Sequence, residues 1–327
     1  MNEEDIINTM NAMLRSLRRG ESLAGSGLVR MARVEERVAL DHYEGQTKDG
    51  KAHGRGKMIW VNGNKYEGGF VGGMAEGKGV YTYTSGNIYT GEFMKGKRNG
   101  KGAFEWKGGE VYVGGWKDNK EHGWGRREYS AGAVYAGQWK DGKKCGEGKT
   151  KYANDDKHEG QYKNGKAHGE GIFTYSGGII FMGVWENGRQ QRRGKLTYPN
   201  GDVYSGDVKG CTPSGIGQMS FQTGNMLSYD GDWMHGKHHG MGKMAWRDGN
   251  KYEGGWQKGK RHGDGIHTSA DGTTKEGEWK DGTLQTIQEV DESDSDSVEI
   301  VGALTAEDVE AQNIKAAEAN GEVIEIL

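Results

Sequence analysis

A repeat of 23 residues runs through most of this chain and constrains its fold more than any other feature. The stretch from Tyr112 to Val134 is one unit, and Tyr135 begins the next. If Tyr112 is position 0, positions 0, 4 and 17 are aromatic and positions 2, 11, 13 and 20 are glycine. Ten full units and one half unit cover residues 43–282, and they begin at Tyr43, Tyr66, Tyr89, Tyr112, Tyr135, His158, Phe181, Tyr204, Tyr229, Tyr252 and Lys275.

The spacing within a unit predicts a β-hairpin. Positions 0, 2 and 4 share one parity, and so do positions 11, 13, 15 and 17, so each set lies on one face of a strand. Asp49-Gly50 and Asn164-Gly165 separate the two sets in their units, and such pairs supply the positive φ angles of a tight turn. A second turn, such as Asn62-Gly63, closes each unit. Consecutive hairpins should therefore pair edge to edge.

The glycines at positions 2 and 13 are predicted to leave room for bulky rings on the same face. We call fifteen of the rings at positions 0 and 4 the ring ladder and predict that they line a groove for a protein partner. Its members are Tyr66, Phe70, Tyr89, Phe93, Tyr112, Trp116, Tyr135, Trp139, Tyr162, Trp185, Tyr229, Trp233, Tyr252, Trp256 and Trp279. The predicted fold is all-β, an elongated single-sheet solenoid of stacked hairpins about 100 Å long, with short helices at both termini.

These residues resemble the membrane occupation and recognition nexus (MORN) repeat, and Tyr252–Gly265 matches its pattern at every defined position. The resemblance covers roughly residues 43–282 and implies scaffolding, membrane-associated or cytoskeletal roles without chemistry. Arg192, Asp155 and Cys211 depart from the pattern, and we expect a kink or irregularity in repeats seven and eight. The chain is also similar in organisation to radial spoke head proteins of this family, which favours a cilium or flagellum by analogy.

Charge and cysteine content narrow the compartment and the partners. Residues 283–327 carry twelve acids and one base, whereas residues 43–282 carry a net charge of +9. The two cysteines, Cys145 and Cys211, occupy unrelated positions, which favours a reducing, cytoplasmic interior. The sequence shows no signal peptide and no apolar run of about 18 residues.

The two ends differ from the array. Residues 1–42 contain an amphipathic stretch whose apolar stripe predicts a docking helix, formed by Ile6, Met10, Met13, Leu14 and Leu17. This helix could cap the first hairpin, dock on a partner helix or lie on a membrane. Residues 283–302 predict an acidic disordered linker in which Ser293, Ser295 and Ser297 suit acidophilic kinases. The stretch Val298–Val301 within it resembles a SUMO-interacting motif, and residues 303–327 predict a helix and a terminal strand.

A basic column flanks the predicted hairpin turns. Position 8 is basic in eight repeats, at Lys51, Lys97, Lys120, Lys143, Lys166, Arg189, Lys237 and Lys260. The column either protects the sheet from aggregation or binds an anionic partner such as tubulin, an acidic protein segment or phosphoinositides. Nucleic acid is disfavoured, because the rings needed for stacking are used within the sheet.

No enzyme-like constellation recurs in the repeats. Histidine at position 10 forms a column without the neighbouring ligands of a zinc site, and the P-loop-like stretch Gly72–Lys78 has Gly79 where magnesium binding needs Ser or Thr. We therefore predict a non-catalytic scaffold without cofactor or small-molecule substrate, and specifically a cytoskeletal component of a cilium or flagellum. The alternative function is a phosphoinositide-binding membrane adaptor. The sequence leaves open whether the chain forms a homo-oligomer.

Overall fold

A computed structural model describes residues 41–287, which form one open antiparallel sheet of 22 strands. Each strand pairs with the strands that precede and follow it in the sequence, as β7, β8 and β9 do in the middle of the array. The chain is therefore an uninterrupted meander of eleven hairpins. The predictions of an all-β fold, a single sheet and edge-to-edge pairing of hairpins are confirmed.

The strand bounds follow the repeat. The first strands of the hairpins are β1 (His42–Lys48), β3 (Lys65–Val71), β5 (Ile88–Met94), β7 (Val111–Lys117), β9 (Val134–Lys140), β11 (Lys157–Lys163), β13 (Ile180–Glu186), β15 (Val203–Lys209), β17 (Met226–Met234), β19 (Lys251–Gln257) and β21 (Thr274–Lys280). The second strands are β2 (Lys51–Ile59), β4 (Met74–Thr82), β6 (Lys97–Glu105), β8 (Lys120–Glu128), β10 (Lys143–Lys151), β12 (Lys166–Thr174), β14 (Arg189–Thr197), β16 (Thr212–Ser220), β18 (Lys237–Trp246), β20 (Lys260–Thr268) and β22 (Thr283–Ile287).

A bulge that was not predicted from the sequence interrupts each full hairpin at nearly the same place. In the fourth repeat Gly114 pairs with Gly125, and the next pair is Trp116 with Glu121. One residue of β7 therefore faces three residues of β8. The glycine at position 11 allows this geometry in the fourth repeat, since Gly123 has a φ of 71°.

Tyrosine at position 0 packs its ring over the glycines at positions 2 and 13. A Cβ atom added at Gly125 would lie 2.2 Å from the Tyr112 hydroxyl, and one added at Gly114 would lie 2.6 Å from it. The Tyr112 hydroxyl donates a hydrogen bond to the carbonyl of Gly115 in the bulge, at 2.9 Å. Tyr43, Tyr66, Tyr89, Tyr135, Tyr204, Tyr229 and Tyr252 bond to their own position 3 carbonyls.

The rings at positions 0 and 4 interlock edge to face along the sheet. Tyr112 lies 5.2 Å from Trp116 in its own repeat and 5.2 Å from Trp139 in the next, with interplanar angles of 89° and 83°. Such T-shaped pairs contribute about 0.5–1.5 kcal/mol beyond the apolar area that they bury. The Trp116 indole also donates to the carbonyl of Gly102 in the preceding repeat, at 3.1 Å. The ladder therefore joins consecutive hairpins as well as the strands within one hairpin.

The ladder weakens where the repeat departs from its pattern. The core divides into one cluster that ends at Tyr162 and another that begins at Phe181. Strands β14 and β15 form five residue pairs, whereas the strands at every other junction between hairpins form six. The missing pair is that of Arg192, which replaces the position 11 glycine, with Val208. The predicted irregularity in repeats seven and eight is confirmed in the strand register.

The array extends further than the repeat pattern predicted. Residues 283–287 form β22 and complete the eleventh hairpin, with Leu284 opposite Trp279 and packed against its cluster. The prediction that these five residues begin a disordered linker is therefore wrong, because Leu284 supplies an apolar partner for the last ring. The predicted terminal helices and the rest of the acidic linker lie outside the described residues.

We expect Gly137→Ala to destabilise the protein by a few kcal/mol. The added Cβ would lie 2.5 Å from the Tyr135 hydroxyl and 2.6 Å from the Gly148 Cα, so rings or strands must move. Gly108→Ala is the matched control, because nothing lies within 4 Å of its added Cβ and its φ is not positive. Thermal and denaturant unfolding of the full chain measure both changes. Similar losses from both variants would contradict the assigned packing.

Candidate interaction surfaces

The ring ladder is the interior of the array. Its fifteen residues are 0–6% exposed, so they hold the sheet together and offer almost no surface to a partner. The prediction that these rings themselves line a partner groove is therefore corrected. The burial of the position 0 rings follows from the glycine pairs, because each of these rings lies on the backbone of two strands. The position 4 rings are buried by packing edge to face against them.

A second set of aromatic residues, at position 17, remains accessible beside the ladder. This outer row comprises Trp60, Tyr83, Trp106, Tyr129, Tyr152, Tyr175, Tyr198, Phe221 and Trp246, which are half-buried apart from Tyr152, at 38% exposed. Each side chain projects from a hydrogen-bonded turn. In the fourth repeat, the Tyr129 amide donates to Ala133 at 2.8 Å and the Gly132 amide donates to Tyr129 at 2.8 Å. The backbone therefore fixes where these rings stand.

Cationic side chains at position 9 lie over the rings of the ladder. Arg98 lies 4.4 Å from the centroid of the Trp116 ring, and Arg261 lies 3.9 Å from that of Trp279. Lys144 lies 4.5 Å from the centroid of the Tyr135 ring. Burial, and secondarily the charge of Arg127, lowers the pKa of Lys144 to about 8. No sequence signal marks this position, because its residues range from alanine to arginine along the array.

On the face of the sheet that carries the ring ladder, polar groups lie beside rings in the middle and near the end of the array. Arg127 forms ion pairs with Glu110 and, at 3.1 Å, with Glu121, and its guanidinium lies 4.4 Å from the centroid of the Trp106 ring. A depression of about 430 Å³ near the end of the array is lined by residues that include Trp246 and Arg261. The face can therefore offer both ring contacts and hydrogen-bond donors.

His158 occupies the tyrosine slot of the sixth repeat and is 1% exposed. Its Nδ1 lies 2.8 Å from the Tyr162 hydroxyl, which lies 2.6 Å from the Thr150 hydroxyl. Its Nε2 is buried without a hydrogen-bond partner among the described residues. Burial, with a smaller contribution from Lys144, lowers the pKa of His158 to about 4. The imidazole is therefore neutral near pH 7.

The two long edges of the sheet differ strongly in charge. The basic edge, formed by positions 5–8 at the hairpin turns, carries sixteen basic and five acidic residues, whereas the opposite edge, formed by positions 18–22, carries five basic and six acidic residues. The eight predicted basic residues at position 8 are all exposed. Lysines face one another directly in several hairpins, as Lys140 and Lys143 do. Such like-charge pairs oppose folding, although Lys97 forms an ion pair with Asp118 of the next hairpin turn, at 2.8 Å.

Within residues 41–287, no group of three or more histidine, cysteine or acidic side chains is arranged to hold a metal ion. The position 10 histidines are partly buried beside the bulge instead, and Nδ1 of His122, His168 and His262 has no hydrogen-bond partner there, although that of His122 lies 3.9 Å from the Asp141 carboxylate. The same part of the chain contains no helix that is long and apolar enough to span a membrane.

The family model of the MORN repeat matches nine segments, at residues 43–65, 66–88, 89–111, 112–134, 135–157, 158–179, 181–203, 229–251 and 252–274. The chain belongs to the MORN repeat family. Residues 204–228 and the eleventh unit lie outside the matched segments but form hairpins like the others. A MORN array is a protein or membrane interaction module, and no curated protein sequence matches this chain.

Three solved structures among those that the comparison found are similar to this chain only at low TM-scores. The TCP10 domain of Danio rerio CPAP with a STIL peptide is 7% identical, with a TM-score of 0.36, over 73% of this chain and 99% of that one. The TCP domain of Drosophila melanogaster SAS-4 with a proline-rich motif of Ana2 is 15% identical, with a TM-score of 0.33, over 54% and 96%. A streptogramin B lyase is 14% identical, with a TM-score of 0.14, over 69% and 76%. These scores are too low to bear on what this protein binds.

The remaining candidate residues belong to the termini. The predicted docking helix (Ile6, Met10, Met13, Leu14 and Leu17) and the predicted phosphorylation sites (Ser293, Ser295 and Ser297) lie outside the described residues. The sequence alone supports them.

We expect His158→Tyr to stabilise the protein and to reduce its sensitivity to acid. The pKa of His158 is about 4 in the fold and 6.5 in the reference state, so the unfolded chain binds more protons between these values. The stability that the neutral imidazole preserves is present above pH 6.5 and is lost as the pH falls towards 4. A tyrosine removes this loss and can donate to the Gln161 carbonyl, as the other tyrosines do at position 3.

Chemical denaturation of both proteins at pH 7.5 and pH 4.5 measures the change. The loss of unfolding free energy between the two pH values should be smaller in the variant than in the wild-type protein. The difference should be about 1.4 kcal/mol for each unit of pKa shift that the substitution removes. Both proteins keep His238, whose pKa is also about 4 because of burial, so the difference isolates His158. Equal losses in the two proteins would contradict the role assigned to the buried imidazole.

Proposed function

We propose that this protein is a non-catalytic scaffold that organises other proteins, as a cytoskeletal assembly component of a cilium or flagellum. The observation that carries the proposal is the outer row of accessible rings, repeated every 23 residues along one face of the sheet. Aromatic residues carry a large share of the binding energy at protein interfaces. A regular row suits an extended partner that makes the same contact with several repeats.

The arrangement of the outer row supports recognition of a protein segment. Its rings are already partly buried against the ladder and fixed by turn hydrogen bonds, so binding costs little side-chain entropy. Arg98, Lys144 and Arg261 lie over ladder rings on the same face and add donors beside the apolar contacts. A partner with apolar or aromatic side chains and exposed carbonyl or carboxylate groups fits this surface best.

The ciliary or flagellar location rests on analogy. The chain is similar in organisation to radial spoke head proteins of the MORN family, whose bodies also consist mostly of repeats. Two cysteines at unrelated positions agree with a reducing interior.

A second candidate function is binding to an anionic partner, and the charge difference between the two edges favours it. Opposed lysines such as Lys140 and Lys143 would be stabilised by an anionic surface, since each basic residue near such a membrane contributes about 1 kcal/mol. The lipid form of this alternative is a phosphoinositide-binding membrane adaptor. The two functions use different surfaces and can be separated by mutation.

We expect replacement of three outer-row rings, Tyr129→Ala, Tyr152→Ala and Tyr175→Ala, to remove the protein from the detergent-resistant cytoskeleton. A ring that acts as an interface hot spot contributes about 2 kcal/mol, or about 30-fold in affinity. Charge reversal at Lys97, Lys120, Lys143 and Lys166 is the matched control on the basic edge, and it should leave the cytoskeletal fraction largely intact. Recovery of each full-length variant from detergent-extracted native cells measures the effect.

Binding to vesicles tests the second function with the same variants. If the basic edge serves membranes, the lysine reversal should abolish binding to vesicles of phosphatidylcholine with phosphatidylinositol bisphosphate, while the ring variant still binds. Loss of localisation with the lysine variant alone would overturn the scaffold proposal in favour of the adaptor. Circular dichroism and thermal unfolding must show that both variants keep the fold.

A further inference from the structure

A small apolar patch lies on the back face, the sheet surface opposite the ring ladder. The back-face patch spans β5 to β9 and consists of Ile88, Thr90, Ala103, Val111, Val113, Val134 and Ala136. These residues adjoin across strands, with Thr90 opposite Ala103 and Ala103 opposite Val113. Three charged residues lie among them. Glu105 stands between Ile88 and Val111, and the ion-paired Arg126 and Glu128 of β8 separate the β7 residues of the patch from those of β9. The equivalent rows at either end of the array carry many lysines and glutamates instead.

The centre of the patch is more buried than an open sheet face allows. Val113 is 4% exposed and Ala103 is 2% exposed, although neither belongs to the aromatic clusters on the other face. Val80, Ile172 and Met182 occupy equivalent positions on the back face and are 39%, 38% and 45% exposed. Neighbouring strands alone therefore leave such a side chain more than one third exposed. Val113 and Ala103 are therefore more buried than the apolar residues at the equivalent positions elsewhere on the back face, as they would be beneath a further segment of the chain.

We propose that the N-terminal segment of the same chain docks on the back-face patch. The apolar stripe of Ile6, Met10, Met13, Leu14 and Leu17 spans about 17 Å if the segment is helical, at 1.5 Å per residue. The five strands of the patch span about 19 Å at 4.8 Å per strand. One helix laid across the strands therefore brings the whole stripe onto the patch. The contact would join repeats three, four and five.

The length of the connecting chain favours this occupant. Asp41 is fixed at the first hairpin, where its carboxylate accepts a hydrogen bond from the Val61 amide at 2.9 Å. The distance from β1 to β7 is about 29 Å along the sheet, and the residues between 17 and 41 can span more than about 70 Å when extended. At the other end, β22 lies about 62 Å from β9 along the sheet. The linker before the predicted C-terminal helix, residues 288–304, reaches about 60 Å only when fully stretched.

Hydrogen exchange of the full-length protein tests the proposal. Amides of residues 6–17 should exchange at least tenfold more slowly than in an unstructured chain, and Val113→Lys should abolish this protection. Met182→Lys is the matched control, because Met182 holds the same repeat position on the back face and is exposed. It should leave residues 6–17 protected. Unprotected amides in the wild-type protein, or equal effects of the two lysines, would overturn the proposal.

Two further variants distinguish docking of the segment from a disturbed sheet and from dimerisation. Leu14→Asp changes the segment without touching the sheet, so it should remove the protection even if Val113→Lys disturbs the fold. A variant with Leu14→Cys and Ala103→Cys, in which Cys145→Ser and Cys211→Ser remove the native thiols, should form a disulfide within one chain at low protein concentration. Crosslinked dimers instead would assign the patch to a second copy and overturn the intramolecular assignment. This inference is independent of the proposed scaffold function, since neither experiment involves a partner.

Discussion

The contact between a tyrosine ring and a pair of facing glycines is the interaction on which the sheet depends. A sheet of one layer has no second layer to bury its apolar side chains. The described array solves this by letting Tyr112 lie along its own sheet, over Gly114 and Gly125, where a Cβ would leave no room. The ring then contacts two strands and the tryptophans of two repeats at once. The glycines are therefore steric requirements of the core.

The bulge provides the hydrogen bond that each buried tyrosine needs. A buried tyrosine hydroxyl needs a hydrogen-bond acceptor, and the position 3 carbonyl in the bulge provides one in eight repeats. Where position 0 holds a residue other than tyrosine, the hydrogen bonding of the core changes. Phe181 fills the space without a hydroxyl, and His158 leaves its Nε2 unpartnered at the boundary between the two clusters. Local departures from the repeat thus become local weaknesses of an array whose repeats depend on their neighbours.

Much of the fold was predictable because period and parity act within a few residues. The alternation at positions 0, 2 and 4 predicts the strands, and pairs such as Asp49-Gly50, with φ angles of 54° and 71°, predict the hairpin turns. The bulge was not predicted from the sequence, because the position 11 glycine has the same parity as the strand glycines. The ring ladder was assigned to a partner because its depth is set by three-dimensional packing. The last strand, which contains Leu284, was not predicted because it follows an incomplete repeat.

The distribution of side chains over the surfaces explains how one sheet can both fold and bind. The ladder uses one face for stability, and the outer row at the margin of that face remains available because it stands on turns. The two edges hold different charge, so an anionic partner would meet the hairpin-turn edge alone. The back face is mostly polar at both ends of the array, whereas from β5 to β9 it carries the apolar residues of the back-face patch around Glu105, Arg126 and Glu128, and Val113 and Ala103 are buried there. Because each surface is built from different positions of the same 23-residue unit, a substitution at one position can change one interaction without disturbing the ring ladder.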